Sequence, residues 1–211
     1  MPDTGPEPFG ITTVRAILFD MDGTLVDSDG AVLRSWLSWA AEYGVDGQEA
    51  YEMAHGSPSA TTVRKLLPHL DEAALVVASA RQLELQYDDL SDVRPAPGAR
   101  ELLLQLTRTG LPWAVVTSAD SRLAKARLNA AGIVAPVLVT TDDIAAGKPD
   151  PEGYRRAAEL LQVDPQDCLV VEDAEVGLQA GRAAGARTAA LRGLDGDLRL
   201  RTLADLAALL G

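Results

Sequence analysis

The run Ala16-Ile17-Leu18-Phe19, followed at once by Asp20, constrains this chain more than any other stretch. Four successive apolar residues ending in a carboxylate predict a short strand buried on both faces. Ligands of open α/β sheets bind outside the carboxyl ends of such strands, which puts Asp20 at an opening. Asp22 follows two residues later, just before Gly23, whose access to positive φ lets the backbone turn away and leave both carboxylates facing one space. Two anions that close repel each other, so the pair needs a cation, a shared proton or a chemical task. As a turn alone, Asp22-Gly23 is common punctuation. As a site, Asp20 reads as a nucleophile and Asp22 as its acid/base partner around a hard cation.

The rest of the chain falls into two rhythms. From Asp29 to Val93 the pattern is helical. Ser28 or Asp29 is placed to cap a helix carrying Val32, Trp36 and Ala40 beside Leu33 and Leu37 and ended by Gly44. Ser59 to Leu67 forms a short helix closed by Pro68, and Asp71 opens a longer one with Val76, Ala80, Leu83 and Tyr87 on one stripe. This reads as a small helical domain over 29–93, inserted into a core made of 11–28 and 94–211, with 1–10 as a loose tail.

Beyond the Pro-rich joint at 94–98, helices and strands alternate. Apolar runs at 112–116, 137–140, 169–171 and 186–191 each follow a helix, and the last is followed by a closing helix at 203–210. Asp150-Pro151 reads as an N-cap with a first-turn proline. Gly177, Gly181 and Gly185 lie along one helix face, which suits close packing on the sheet better than a phosphate loop. The expected fold class is therefore α/β: a parallel sheet with helices on both faces and a small inserted helical domain.

A chain of 211 residues accommodates one good-sized core and a small satellite. Its formal charge of −12 argues against a nucleic-acid surface or an anionic membrane as partner, while an anionic substrate remains possible where a cation and a lysine reverse the local sign. No apolar run approaches a membrane span, and the opening residues lack the charge and apolar core of a secretory signal. The single cysteine, Cys168, sits in an apolar run and reads as a buried small hydrophobe, which makes a reducing cytoplasm the default expectation.

Polar residues recur at the carboxyl ends of the predicted strands: Asp20 and Asp22, then Thr117 and Ser118, then Glu172 and Asp173. Parallel strands bring those ends to one edge, where Lys148 can join them from the loop before a helix. Singly, these residues would be capping groups, a solvated lysine and a strand-end acid. Together they suit phosphoryl transfer. Carboxylates are what Mg²⁺ takes. Lys148, the Thr117 hydroxyl and nearby backbone N–H groups would hold phosphoryl oxygens while Asp20 attacks phosphorus and Asp22 serves the leaving alcohol and then the water.

Phe19-Asp20-Met21-Asp22-Gly23-Thr24-Leu25, Val116-Thr117-Ser118, Gly147-Lys148-Pro149-Asp150-Pro151 and Val171-Glu172-Asp173 resemble, in order, the four motifs of the haloacid-dehalogenase-like hydrolase superfamily. The helical insert after the first motif is similar to the cap of its β-phosphoglucomutase-like branch. The resemblance implies a Rossmann-like parallel-sheet core, the helical insert as a small mobile cap, and Mg²⁺ held by the Asp20 carboxylate, the backbone carbonyl of Asp22 and Asp173, with Glu172 standing behind them or serving as an auxiliary acid.

Within the superfamily, true dehalogenases lack an acid at the second aspartate, so Asp22 argues for phosphate chemistry. The mutases carry a cap histidine and a cap arginine where this chain has Val32 and Ser59, which favours simple hydrolysis over transfer to a second site. The stretch 110–119, together with His55-Gly56 in the cap, looks most like the small sugar-phosphate and polyol-phosphate phosphatases. His55 is a candidate to hydrogen-bond a substrate hydroxyl, or simply to cap a helix. The expected partner is a small phosphorylated molecule and the expected state a monomer. A sugar phosphomutase and a phospho-aspartate signalling module are the alternatives, although a receiver-type module has no place for the insert.

Overall fold

The computed structural model describes residues 10–54 and 57–211. The expected tail, except Gly10, and the candidate cap pair His55 and Gly56 lie outside the described residues. The strands are β1 (Ala16–Phe19), β2 (Val26–Asp27), β3 (Arg94–Pro95), β4 (Trp113–Val116), β5 (Leu138–Val139), β6 (Cys168–Glu172), β7 (Arg187–Ala190) and β8 (Leu198–Arg199). The helices are α1 (Asp29–Tyr43), α2 (Gly47–Ala54), α3 (Ser59–Leu66), α4 (Glu72–Asp88), α5 (Ala99–Thr109), α6 (Ser121–Ala130), α7 (Glu152–Leu161), α8 (Glu175–Ala184) and α9 (Leu203–Leu210).

Six strands form one parallel sheet in the order β5-β4-β1-β6-β7-β8. β1 lies between β4 and β6, where the strand order reverses, the place at which doubly wound sheets bind ligands. Every residue of β1, β4 and β6 is buried, as their unbroken apolar runs require. Alternate side chains face opposite layers: Ile17, Phe19, Leu169 and Val171 pack with α5, α6 and α9, whereas Ala16, Leu18 and Val170 pack with α7 and α8. Gly181 brings α8 against Val170, so close packing accounts for that position. Cys168 is buried, and burial pushes its thiol up to about 12, which leaves it inert as expected.

α1 to α4 gather around their own apolar cluster of Trp36, Trp39, Ala40, Ala50, Val63, Leu67, Leu75 and Ala78. Trp39 stacks on Tyr43, meets Trp36 edge-on and donates its indole N–H to the Ala78 carbonyl at 2.9 Å. A two-residue antiparallel ribbon, β2 with β3, joins the chain where it enters and leaves this segment, with an Arg94–Asp27 ion pair of 2.8 Å beside it.

Several local expectations need correction. Ser28 holds the N-cap position of α1 but does not cap it, because the neighbouring Asp22 carboxylate takes its hydroxyl. Leu37 is exposed, and the inward face of α1 uses Trp39 and Ala31. On α4 the buried residues are Leu75, Ala78, Gln82 and Gln86, and Val76 is exposed; of the expected stripe, Leu83 and Tyr87 pack against the core cluster, and Ala80 and Leu83 line a cavity with Gln86. Asp71 caps α4 as expected, accepting from Ala74 N–H. Pro151, not Asp150, is the residue before α7, although Asp150 still accepts the Glu152 N–H at 2.9 Å. The strand at 187–190 is not the last: β8 pairs beside it at the sheet edge, a two-residue strand too short to show a period. Among the described residues, no helix is long and apolar enough to cross a membrane.

Candidate active site

β1 delivers Asp20 to the carboxyl edge of the sheet, where its backbone N–H donates to the Val171 carbonyl at 3.0 Å. The chain then turns at Gly23, φ +80°. A side chain there would strike the Asp173 carboxylate, so both the backbone angle and the space demand glycine. β4 delivers Thr117 and Ser118, and β6 delivers Glu172 and Asp173, to the same edge. Lys148 reaches in from the loop before α7. The structure thus brings Asp20, Asp22, Thr117, Ser118, Lys148, Glu172 and Asp173 together, and all but Lys148 and Glu172 line one cavity of about 370 Å³.

Lys148 uses all three of its donors inside the protein: Asp20 Oδ1 at 2.6 Å, Glu172 Oε1 at 2.6 Å and the Val116 carbonyl at 3.1 Å. Burial opposes its charge, but the Asp20 and Glu172 carboxylates outweigh burial and raise its pKa, so it remains an ammonium. Glu172 is fully buried and saturated with donors. Its Oε1 also accepts the Tyr154 hydroxyl at 2.7 Å, and its Oε2 accepts the N–H groups of Asp173 and Ala174 at 3.2 and 3.3 Å. A Cβ at Gly177 would overlap the Glu172 carboxylate, so this glycine makes room for it.

Burial first, and the Glu172 charge second, push Asp20 well above the usual carboxylate range despite Lys148. The same two causes hold Asp173 at about 7, against the pull of the Arg192 guanidinium, whose Nε lies 2.8 Å from Asp173 Oδ2. Arg192 also reaches Asp29 with Nη2 at 2.8 and 2.9 Å. The electrostatics therefore describe carboxylates short of positive charge. Asp20, Glu172 and Asp173 each place an oxygen within 4.8 Å of the others. An oxygen-only set of buried carboxylates fits a hard divalent cation. The Asp22 side chain lies outside that group. Its Oδ1 accepts the Ser28 hydroxyl at 2.6 Å, and its Oδ2 accepts Arg127 Nη1 at 2.6 Å. Thr117 Oγ1 accepts the Ala119 N–H at 3.1 Å.

Sequence reasoning missed Tyr154, Arg192, Gln86 and Arg127. Tyr154 reads as one more apolar position of α7, and Arg192 belongs to a loop without motif. Arg127 did carry a signal: it shares the inward face of α6 with Leu123, Ala124 and Leu128, a place where a charge needs a reason. Val32 and Ser59, where the mutase-like pattern has its basic groups, both line the cavity.

The family model for haloacid dehalogenase-like hydrolases matches residues 14–185. The chain is 39% identical over 178 residues to hexitol phosphatase A of Escherichia coli K12, covering 84% of this chain and 82% of that protein. It is 38% identical over 189 residues to 2-deoxyglucose-6-phosphate phosphatase 1 of Saccharomyces cerevisiae, covering 81% and 77%. Among solved structures, CbbY from Rhodobacter sphaeroides in complex with phosphate superposes with a TM-score of 0.80 at 26% identity, covering 93% of this chain and 99% of that one. The matched span contains every strand-end motif from Asp20 to Asp173, and on this ground the chain belongs to the haloacid dehalogenase-like hydrolase family.

Proposed function

We propose that this chain is a Mg²⁺-dependent phosphatase that hydrolyses phosphomonoesters of small, uncharged sugars or polyols through an aspartyl-phosphate on Asp20. The observation that carries the reading is the composition of the cavity: carboxylates at its sheet edge, and a wall from α1, α3 and α4 that is mostly apolar and hydroxylic, with Asp29 and Gln86 as its other polar side chains. Val32, Trp36, Ser59, Ser79, Ala80 and Leu83 belong to that wall. The one basic side chain among the described lining residues, Arg127, is already paired with Asp22. Such a wall accepts a neutral hydroxylated body and, among the described residues, holds no unpaired cation for a second phosphate, which favours hydrolysis over the mutase alternative. The names of the two relatives, phosphatases of a hexitol and of a deoxyhexose phosphate, point the same way.

The metal, held by Asp20, Asp173 and the Asp22 carbonyl with Glu172 behind them, would draw charge from the phosphoryl oxygens. Lys148 fixes Asp20 through one carboxylate oxygen, which leaves the other for attack in line on phosphorus. As the Asp20–phosphorus bond forms, the ester oxygen departs with a proton from Asp22; water then attacks phosphorus, gives a proton to Asp22, and Asp20 is released. Thr117 and Ser118 line the cavity where the phosphoryl group would rest. Residues 29–93 serve as a cap over the core, hinged at the β2–β3 ribbon, and keep bulk water from the acyl phosphate.

The test is phosphate release, with Mg²⁺, from a panel of sugar, polyol and nucleotide monophosphates and sugar bisphosphates, with Asp20→Asn in parallel. Turnover confined to neutral-bodied monophosphates and lost in the variant is the expected result. Release from none of the esters, or interconversion of hexose 1- and 6-phosphates, would overturn the reading.

A further inference from the structure

Arg127 is a buried charge that the chemistry above does not use. It comes from the last turn of α6, is 2% exposed, and divides its guanidinium between two elements. Nη1 donates to Asp22 Oδ2 at 2.6 Å, and Nη2 donates to Gln86 Oε1 of α4 at 2.8 Å. Nε is buried without a partner. Burying a guanidinium is costly unless it is fully paired, so a merely structural anchor would be better served by an apolar residue. What the arginine supplies is a planar fork that bridges a carboxylate and an amide at fixed geometry.

The contacts run on from both ends of that fork. The second oxygen of Asp22 is held by Ser28 at the head of α1, so the carboxylate is gripped from two sides. Gln86 in turn donates to Ser59 at the start of α3 at 2.8 Å and to Gln82 at 2.6 Å. α4 also rests on the core at the next residue, where the Tyr87 hydroxyl donates to Asp120 at 2.8 Å and Arg122 lies over the Tyr87 ring. The placement of α4 and the orientation of the acid/base carboxylate therefore meet at one side chain.

We propose that Arg127 is a positioning residue for Asp22, which sets the orientation of the acid/base carboxylate and ties it to the seating of α4 through Gln86. This rests on the phosphatase reading. Arg127 transfers no proton; it donates two hydrogen bonds, and Asp22 alone exchanges a proton with the leaving alcohol and the water. Proton transfer needs the carboxylate oxygen within hydrogen-bond reach of the reacting oxygen, and a carboxylate freed on one side spends most of its time elsewhere.

The experiment compares Arg127→Met, Arg127→Lys and Gln86→Leu with wild type on a polyol phosphate and on p-nitrophenyl phosphate, whose phenolate leaves without a proton. With the polyol phosphate, Arg127→Met is expected to lower kcat about 10- to 100-fold, short of the roughly 100- to 10,000-fold that general acid–base catalysis contributes, because Asp22 itself remains, at little-changed KM. With p-nitrophenyl phosphate the first turnover should stay near the wild-type rate, so that a burst of p-nitrophenol precedes slow hydrolysis. In an Asp22→Asn background the same substitution should cost less than about 2-fold, because the group it positions is gone. Arg127→Lys, able to pair with Asp22 but not also with Gln86, should recover part of kcat. Gln86→Leu leaves the ion pair in place and carries the test if Arg127→Met does not fold; it should lower kcat on the polyol phosphate and spare the burst. Equal losses in the first turnover on both substrates, losses that persist undiminished beside Asp22→Asn, or an effect confined to KM would overturn the proposal. Absence of phosphate release from every ester by wild type would instead defeat the phosphatase reading beneath it.

Discussion

The sheet edge and the helical segment bury polar groups in opposite ways. At the edge the buried groups are ionisable: the side chains of Asp20, Lys148, Glu172 and Asp173 crowd together, and desolvation and mutual repulsion push two carboxylates upward. In the segment of α1 to α4 the buried polar groups are neutral. Ser35, Thr62 and Gln82 bond among themselves, to Gln86 or to backbone, Gln86 reaches on to Ser59 and Arg127, and the cluster around Trp36 and Trp39 is apolar. Charge buried at a cost belongs where chemistry needs it, whereas neutral polar groups fix geometry at little cost. Arg127 stands at the seam of the two and touches one group from each.

That contrast can be broken by substitution. Asp20→Asn should lower turnover at least about a thousandfold, as loss of a nucleophile does, while leaving the far-ultraviolet circular dichroism unchanged. Lys148→Met leaves Asp20 and Glu172 buried without their shared cation and should cost about 3–5 kcal/mol in urea unfolding with chelator present. Added Mg²⁺ should recover part of that loss, a recovery not expected for any change in the helical segment. Trp39→Ala should cost a similar 3–5 kcal/mol or so through the cavity it leaves and the lost bond to Ala78, yet show no recovery with Mg²⁺. If the metal restored Trp39→Ala as well, the two regions would not differ as described.

Smaller effects sharpen the contrast. Gly177→Ala presses on Glu172 from behind and should cost about 1–3 kcal/mol, with a loss of activity out of proportion because Glu172 and Tyr154 together hold Lys148 in place. Arg81→Ala removes an exposed bridge to Glu42 on the outer face of the helical segment and should leave melting and turnover unchanged. A measurable effect on turnover would mean that the outer surface of the segment takes part in catalysis.

The chain by itself determined the parts that depend on neighbours in sequence. An apolar run with no polar break admits only an internal strand, and a carboxylate directly after it must lie at the strand end, so Asp20, Thr117, Glu172 and Asp173 were legible with their places in the fold. Gly23 and Gly44 announced turns for the same local reason, and Asp71 announced a helix start. The parallel sheet followed from alternation, whereas β2, β3 and β8, each two residues long, are too short for any period to appear.

Only the tertiary structure decided which partners the charged groups found. Arg127 meets Asp22 across 105 positions of sequence, Lys148 meets Asp20 across 128, and Arg192 meets Asp29 across 163. Lys148 was inferred because it lay in a motif beside a predicted edge, but Arg127 and Arg192 lay in none. The inward face of α4 was likewise misplaced, because a helix packed on two sides, against its own cluster and against the cavity, has two buried stripes, and hydropathy marks only one. Hydropathy encodes what must leave water; the pairing of buried charges is set by where the folded backbone happens to bring them, and that is a property of the whole chain.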